Sequence, residues 1–458
     1  MQHRKQPPPA ATAQHAPTAL WQQLLGVATA LRAVNAGKSG TAALESIQES
    51  LRPGVQALLF QVLRNLGRAQ ALRSVLAPRH PPAAADALLC SALALCWHDE
   101  GSPYTPFTLV NQAVEAAKRS SATKAQAAFI NGCLRRFLRE RTALVAATDK
   151  DMQAYWNHPT WWIKRIQQEY PDQWQEMLEA NNTHPPLTLR INKKRCSVTK
   201  YIGALSKQGL DAHAVDAHGV QMVQACPVPA LPGYHEGWFS VQDSAAQQAA
   251  PLLLTGMDLS RPLRVLDACA APGGKTAHLL ELANADLVEV TSMELDPHRS
   301  QRIHTTLDRL GLKARVVVAD AAQPASWTFQ GADLAHWDAI LLDAPCTASG
   351  IVRRHPDIRW LRRESDIEQL AALQARLLAA LWPLVKVGGR LLYCTCSVFK
   401  AEGHGQVQSF LAHNSDARLL PSPGHLIPQT RDKLEALPEN GKGDHDGFFY
   451  ALLEKAPS

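Results

Sequence analysis

The stretch Arg264-Val-Leu-Asp-Ala-Cys-Ala-Ala-Pro-Gly-Gly-Lys-Thr-Ala-His-Leu-Leu-Glu-Leu-Ala283 decides the fold. An apolar run over 264–270 is broken at Pro272, Gly273 and Gly274, and apolar residues then recur at helical spacing. A strand, a tight turn and a helix in that order open a doubly wound parallel sheet. The alternation continues downstream. LVEVTSMELD (287–296) reads as a second strand and PHRSQRIHTTLDRL (297–310) as its helix; ARVVVAD (314–320) is a third strand and WDAILLDAPC (337–346) a fourth. ESDIEQLAALQARLLAALWPLVKVGG (364–389) reads as one long helix with Gly388 and Gly389 as its C-cap, before a fifth strand, RLLYCTCS (390–397). DGFFYALLE (446–454) closes the sheet.

Upstream the pattern differs. Residues 1–17, rich in Pro, Ala and Gln, are expected to be a disordered tail. Residues 18–148 carry apolar positions at three- and four-residue spacing throughout, as in VQALLFQVLRNLG and ADALLCSALALCWHDE, and predict an all-α domain. Residues 149–237 begin with linker helices and continue with strand-like LTLRIN and GVQMVQA around the helical TKYIGALSKQG, a small α+β module. The sheet domain is expected over 238–458.

At 458 residues the chain exceeds one ordinary core. Its 46% hydrophobic and 19% charged residues are globular, and no apolar run reaches membrane-spanning length, so a cytoplasmic protein without a membrane partner is expected. Nine cysteines without paired spacing indicate neither a disulfide framework nor a metal site. The net charge of +6 is compatible with nucleic acid, and Arg135, Arg136 and Arg139 cluster on the last N-terminal helix as candidate RNA contacts. The absence of an exposed heptad favours a monomer.

Ligands of doubly wound sheets bind beyond the carboxyl ends of the strands. There the sequence places Cys269, Ala270, Ala271, Pro272, Gly273, Gly274 and Lys275 after strand one, Glu294 after strand two, Asp320 after strand three and Asp343 after strand four. A carboxylate in the second position accepts hydrogen bonds from ribose hydroxyls, and one in the third suits an adenine amine. Each acid alone has a bland reading as a helix cap, but three at successive strand ends are hard to dismiss.

Two of those ends also carry thiols: Cys346 in Asp343-Ala-Pro-Cys346, and Cys396 in Thr395-Cys396-Ser397. Carbon 5 of cytosine is a poor nucleophile, and the usual remedy is addition of a thiolate to carbon 6, after which carbon 5 attacks a sulfonium methyl. A thiolate needs positive charge nearby. Arg353, Arg354 and His355 are candidates for that charge and for RNA contact. Spacing alone does not separate Cys396 from Cys394, which strand alternation puts on the same face.

LDACAAPGGKT, LLDAPCTASGIVRRHPDIRWLRR and YCTCSV together resemble the RNA cytosine-5 methyltransferase family, in its bacterial small-subunit ribosomal RNA branch. HPTWWIKRIQQEYPDQW, LEANNTHPPLTLRIN, GWFSVQDSAAQ and DGFFYALL carry the resemblance through nearly everything after the tail. It implies a NusB-like RNA-binding domain, an RRM-like module and a class I, Rossmann-like methyltransferase domain. It also implies S-adenosyl-L-methionine as cofactor and 16S rRNA, free or in a partly assembled small subunit, as partner, with the target at cytosine 967 in conventional rRNA numbering. Cys396 becomes the nucleophile, Cys346 the product-release cysteine, and residues 269–275, Glu294, Asp320 and Asp343 the cofactor contacts. One departure is visible: the family commonly has Asp where this chain has Glu294, after a loop about two residues longer. The rival readings are the same chemistry on transfer RNA or another ribosomal site, and a non-catalytic RNA-binding protein; methylation of a small molecule or protein is disfavoured by the cysteine pair.

Overall fold

The computed structural model describes residues 18–98, 104–327, 337–428 and 444–457; the expected N-terminal tail lies outside the described residues. The chain divides into two compact units, 1–157 and 158–458.

The first unit is helical. Ala83–Cys96 is buried on every side from Ala87 to Cys96, and a helix apolar all round belongs at a centre. Leu20–Asn35, Leu66–Leu76 and Pro106–Arg119 pack against it. The expected boundary after residue 148 moves to Asn157. Helix Met152–Trp156 lies so close to Leu66–Leu76 that a Cβ on Gly67 would stand 2.3 Å from the Gln153 carbonyl oxygen, and the Asn157 side chain accepts the Arg68 amide at 3.0 Å.

The second unit contains two sheets. The smaller joins β1 (Thr188–Ile191), β2 (Ala212–Ala214), β3 (Gly219–Met222) and β4 (Phe239–Val241) in the order β2-β3-β1-β4, all antiparallel, around Leu189, Ile191, Tyr201, Val220 and Phe239. Since β4 pairs with β1, this module extends past the expected boundary at residue 237, because Phe239 completes its core.

The larger sheet comprises β5 (Leu263–Asp267), β6 (Val288–Glu294), β7 (Arg315–Val318), β8 (Trp337–Asp343), β9 (Val385–Thr395), β10 (Ala417–Leu426) and β11 (Phe448–Lys455) in the order β10-β11-β9-β8-β5-β6-β7. Strands β5 to β9 are parallel and β11 is antiparallel to β9 and β10. Side chains alternate between two cores: Val265, Leu341 and Leu392 face one, Leu266, Ile340 and Leu391 the other. Strand order reverses between β5 and β8, the switch point where a ligand crevice forms.

One element reads differently from its sequence. The helix over Ser365–Leu381 ends before Pro383, whose missing N–H and bulky ring stop it, and Gly388 and Gly389 lie inside β9 rather than at a helix cap. There the pairing with β8 jumps from Trp337↔Val385 to Ala339↔Arg390, a bulge in which Gly388 takes φ +76°.

The small module is locked to the sheet domain by Arg190 on β1. It is fully buried, with Nε and Nη2 donating to both Glu281 carboxylate oxygens at 2.9 and 2.7 Å and Nη1 donating to the Gly274 carbonyl at 2.7 Å. Removing one partner of a buried pair leaves an uncompensated charge. Arg190→Met is therefore expected to destabilise this unit by about 3–5 kcal/mol in urea unfolding; a change under about 1 kcal/mol would remove the lock from the description.

Candidate active site

The crevice beyond the strand ends is a cavity of about 340 Å³ bordered by Cys269, Ala271, Glu294, Asp320, Asp343, Cys346 and Cys396. Its floor is the turn after β5. Asp267, the buried last residue of that strand, accepts from Thr276 Oγ1 at 2.6 Å and so fixes the first turn of helix Gly274–Leu282. Burial pushes the Asp267 carboxyl up to about 7, and its Oδ1 has no partner among the described residues. Ala270 donates its amide to Met293 on β6, Gly273 donates back to Ala270 at 2.7 Å, and the Pro272 carbonyl accepts from Thr306 at 2.8 Å. The two glycines differ in reason. Gly273 has φ +97°, and a Cβ on it would press on Ile303 at 3.1 Å, whereas a Cβ on Gly274 would meet nothing nearer than Gln242 at 3.8 Å.

The acids line one rim. Glu294, nearly buried at the end of β6, accepts from the Asp296 amide and from Arg299, each at 3.1 Å, so the longer loop before it still delivers its carboxylate to the cavity. Asp320 is held by the Ala322 amide and Gln323, both at 2.9 Å. These carboxylates and the apolar walls of Ala268, Ala321 and Leu377 fit a cofactor with ribose, adenine and amino-acid portions; of residues 269–275, Cys269 and Ala271 border the cavity and Ala270, Pro272, Gly273, Gly274 and Lys275 do not.

At the other end of the cavity Cys346 Sγ and Cys396 Sγ stand 3.4 Å apart. Cys394, on the same side of β9, is sealed in the core with its thiol 3.5 Å from Asp343 and pushed well above the ordinary value by burial and that carboxylate. Only Cys346 and Cys396, of these three, border the cavity. The Cys346 thiol is pushed well above its usual range by its hydrogen bond to Cys396, by burial, and by the charges of Cys396 and Glu402.

The positive charge beside the thiols comes from an unexpected source. Arg353 is buried and pairs with Asp446 and Asp444; Arg354 pairs with Asp446 and Asp243. Both tie residues 444–446 to the chain just after β4, and carboxylates rather than thiols hold their guanidinium groups. His355 alone of that trio is exposed. The cation whose charge interaction extends to Cys396 is Lys275: its ammonium is 2.6 Å from Asp343, and although burial opposes its charge, Asp343, Cys394 and Cys396 together hold it above the usual lysine value. Arg362, which sequence reasoning passed over, donates to the carbonyls of Thr347 and Cys346 at 3.0 and 3.3 Å. In the other unit, Arg135, Arg136 and Arg139 are exposed; Arg135 donates to Asn131 at 3.1 Å, and Arg136 and Arg139 donate to Glu140 at 2.9 and 3.0 Å.

This sheet order, with one antiparallel strand inserted beside β9 and three acids around the switch point, defines a class I S-adenosylmethionine-dependent methyltransferase. Residues 255–454 match the model of the 16S rRNA methyltransferase RsmB/F family, 158–229 match the ferredoxin-like domain of RsmF/B-like methyltransferases, and 27–139 match the NusB family. Ribosomal RNA small subunit methyltransferase B of Pasteurella multocida is 38% identical over 93% of this chain and 94% of its own length. The protein of that name in Escherichia coli K12 is 42% identical over 71% of this chain and 72% of its own. The solved structure of PH0851 shares the fold over 95% of this chain and 99% of its own, with a TM-score of 0.74 at 24% identity. The chain belongs to the 16S rRNA methyltransferase RsmB/F family and is an S-adenosylmethionine-dependent rRNA methyltransferase. The non-catalytic reading falls with that finding.

Proposed function

We propose that this chain methylates carbon 5 of one cytosine in 16S rRNA, position 967 in conventional numbering, through a covalent bond from Cys396 to carbon 6. The observation that carries the reading is the contact between two thiols, 3.4 Å apart, where the cofactor cavity ends at Asp343. Transfer to an oxygen or nitrogen needs no such pair.

S-adenosylmethionine, when bound, supplies an electrophilic methyl. Residues 269–275 and Glu294, Asp320 and Asp343 would hold it, with Gly273 and Gly274 shaping the turn. Cys396 adds as the thiolate to carbon 6 and makes carbon 5 nucleophilic, with the Lys275 ammonium as the positive charge of that region. After methylation solvent takes the carbon 5 proton, the electron pair left behind restores the 5,6 double bond, and the Cys396–C6 bond breaks with its pair going to the Cys396 sulfur, which Cys346 can protonate. Cys346, kept protonated by its surroundings, assists that release as an acid–base group rather than as a second nucleophile. The target base reaches the thiols by leaving its stack, which single-stranded rRNA permits at low cost.

Free rRNA or a partly assembled subunit in the cytoplasm is the substrate, and the enzyme acts as a monomer. Arg135, Arg136 and Arg139 contribute phosphate contacts from the helical unit. Replacing all three with Ala is expected to flatten the slope of log affinity against log salt by about 2, since each phosphate contact contributes roughly 0.7–0.9. An unchanged slope removes them from the interface.

The reading is tested by incubating the native enzyme and Cys346→Ala with rRNA and S-adenosylmethionine and resolving products under denaturing conditions. A protein–RNA adduct that survives denaturation supports it; methylated RNA without any adduct, in either protein, overturns it.

A further inference from the structure

We propose that Glu402, which borders no part of the cavity among the described residues, is a positioning residue that sets the distance between the two thiols. The inference rests on the covalent reading above. Glu402 closes the short 3-10 turn Lys400–Glu402 after β9 and is fully buried. Its carboxylate gathers four donors. Oε1 accepts the Thr347 amide at 2.8 Å and Gln374 Nε2 at 3.1 Å; Oε2 accepts Thr347 Oγ1 at 2.5 Å and Ser397 Oγ at 2.6 Å. Thr347 follows Cys346 and Ser397 follows Cys396, so a single oxygen ties together the residues next to both thiols. Gln374 also donates to the carbonyl of Pro345, the residue before Cys346, at 2.9 Å. The turn itself is anchored, because Tyr393 on β9 donates its hydroxyl to the Glu402 carbonyl at 2.7 Å.

A carboxylate is a costly group to bury, and burial raises its proton affinity against the four hydrogen bonds that lower it. Apolar packing between the β8 and β9 exits would give equal cohesion more simply. What the carboxylate adds is direction: acceptor-only, with two fixed oxygens, it admits one arrangement of the donors and hence one spacing of the loops. Its loss leaves Cys396 beside Lys275, able to form the adduct, but frees Cys346 to drift from the position where it assists release. The defect expected is thus in resolution of the adduct, not in its formation.

The test compares Glu402→Ala, Glu402→Gln and Thr347→Val with the native chain, measuring kcat, KM for rRNA and for S-adenosylmethionine, and the fraction of enzyme in denaturation-resistant adduct. For Glu402→Ala, kcat falls about 30-fold, both KM values stay within about threefold, and the adduct fraction rises. Glu402→Gln recovers kcat to within about fivefold of native, because its carbonyl still accepts from Thr347 N–H while its amide donates to hydroxyls that rotate to receive it. Thr347→Val removes one arm only and gives the same signature at about fivefold, which decides the matter if Glu402→Ala does not fold. Native turnover in Glu402→Ala, or a parallel fall of adduct and turnover in folded Glu402→Ala or Thr347→Val, overturns the proposal. Absence of adduct even from Cys346→Ala overturns the covalent reading and this proposal with it.

Discussion

Cys396→Ala is expected to lose at least about 10³-fold in methyl transfer, to form no adduct with RNA, and to retain S-adenosylmethionine affinity within about threefold. The size follows from the chemistry. Without a thiolate on carbon 6, carbon 5 must attack a methyl group as part of an aromatic ring, and the other thiols bordering the cavity, Cys269 and Cys346, are pushed above the usual range by their surroundings. Cys394 is two residues away on the same side of β9, but it is sealed in the core, hydrogen-bonded to Asp343 and pushed well above the usual thiol range by burial and that carboxylate. The retained affinity follows because the proposed cofactor contacts are residues 269–275 and three acids, and Cys396 is not one of them. Calorimetry of cofactor binding beside a radiolabel transfer assay separates the two effects. Substantial residual transfer would show that another nucleophile, or none, is used.

Cys346→Ala is expected to separate the two halves of the reaction. Turnover falls by about 10²-fold, the scale of a lost acid–base group, while the protein–RNA adduct accumulates to a large fraction of the enzyme. The asymmetry between thiols 3.4 Å apart comes from their surroundings. Cys346 shares a hydrogen bond with Cys396, is half-buried, and feels the Glu402 charge, and together these push its thiol well above the usual range and leave it unsuited to attack. Gel separation after denaturation reads the adduct directly. If Cys346→Ala turns over at the native rate, release needs no help from this thiol.

The sheet was legible because its strands alternate between two cores and each ends in a polar residue at the switch point: Asp267, Glu294 and Asp343 terminate β5, β6 and β8, while Asp320 follows β7 by two residues. The small module was legible from the LTLRIN and GVQMVQA patterns, except for β2 and β4, three-residue strands too short for periodicity to reveal. Gly388 and Gly389 misled because a glycine pair after an apolar helix satisfies a cap as well as a bulge; Pro383 was the better stop signal. Arg353 and Arg354 looked like a basic patch, since one-dimensional spacing does not show that Asp243, Asp444 and Asp446 converge on them across the fold. The same blindness hid Glu402, whose four donors come from three separate segments, and the charge interaction between Lys275 and Cys396, which depends on β5 and β9 flanking β8. Motif residues that touch ligands are visible as patterns; residues that hold those motifs together become visible only when distant segments meet.

The most direct measurement is transfer of labelled methyl from S-adenosylmethionine to protein-free 16S rRNA by the native enzyme and by Cys396→Ala, with the product mapped by bisulfite sequencing. Modification of one cytosine, at position 967, by the native enzyme and of none by Cys396→Ala is the expected result. Label on any atom other than a cytosine carbon 5, or equal labelling by the two proteins, would contradict covalent cytosine methylation through Cys396; labelling of transfer RNA alone would keep the chemistry and overturn the substrate.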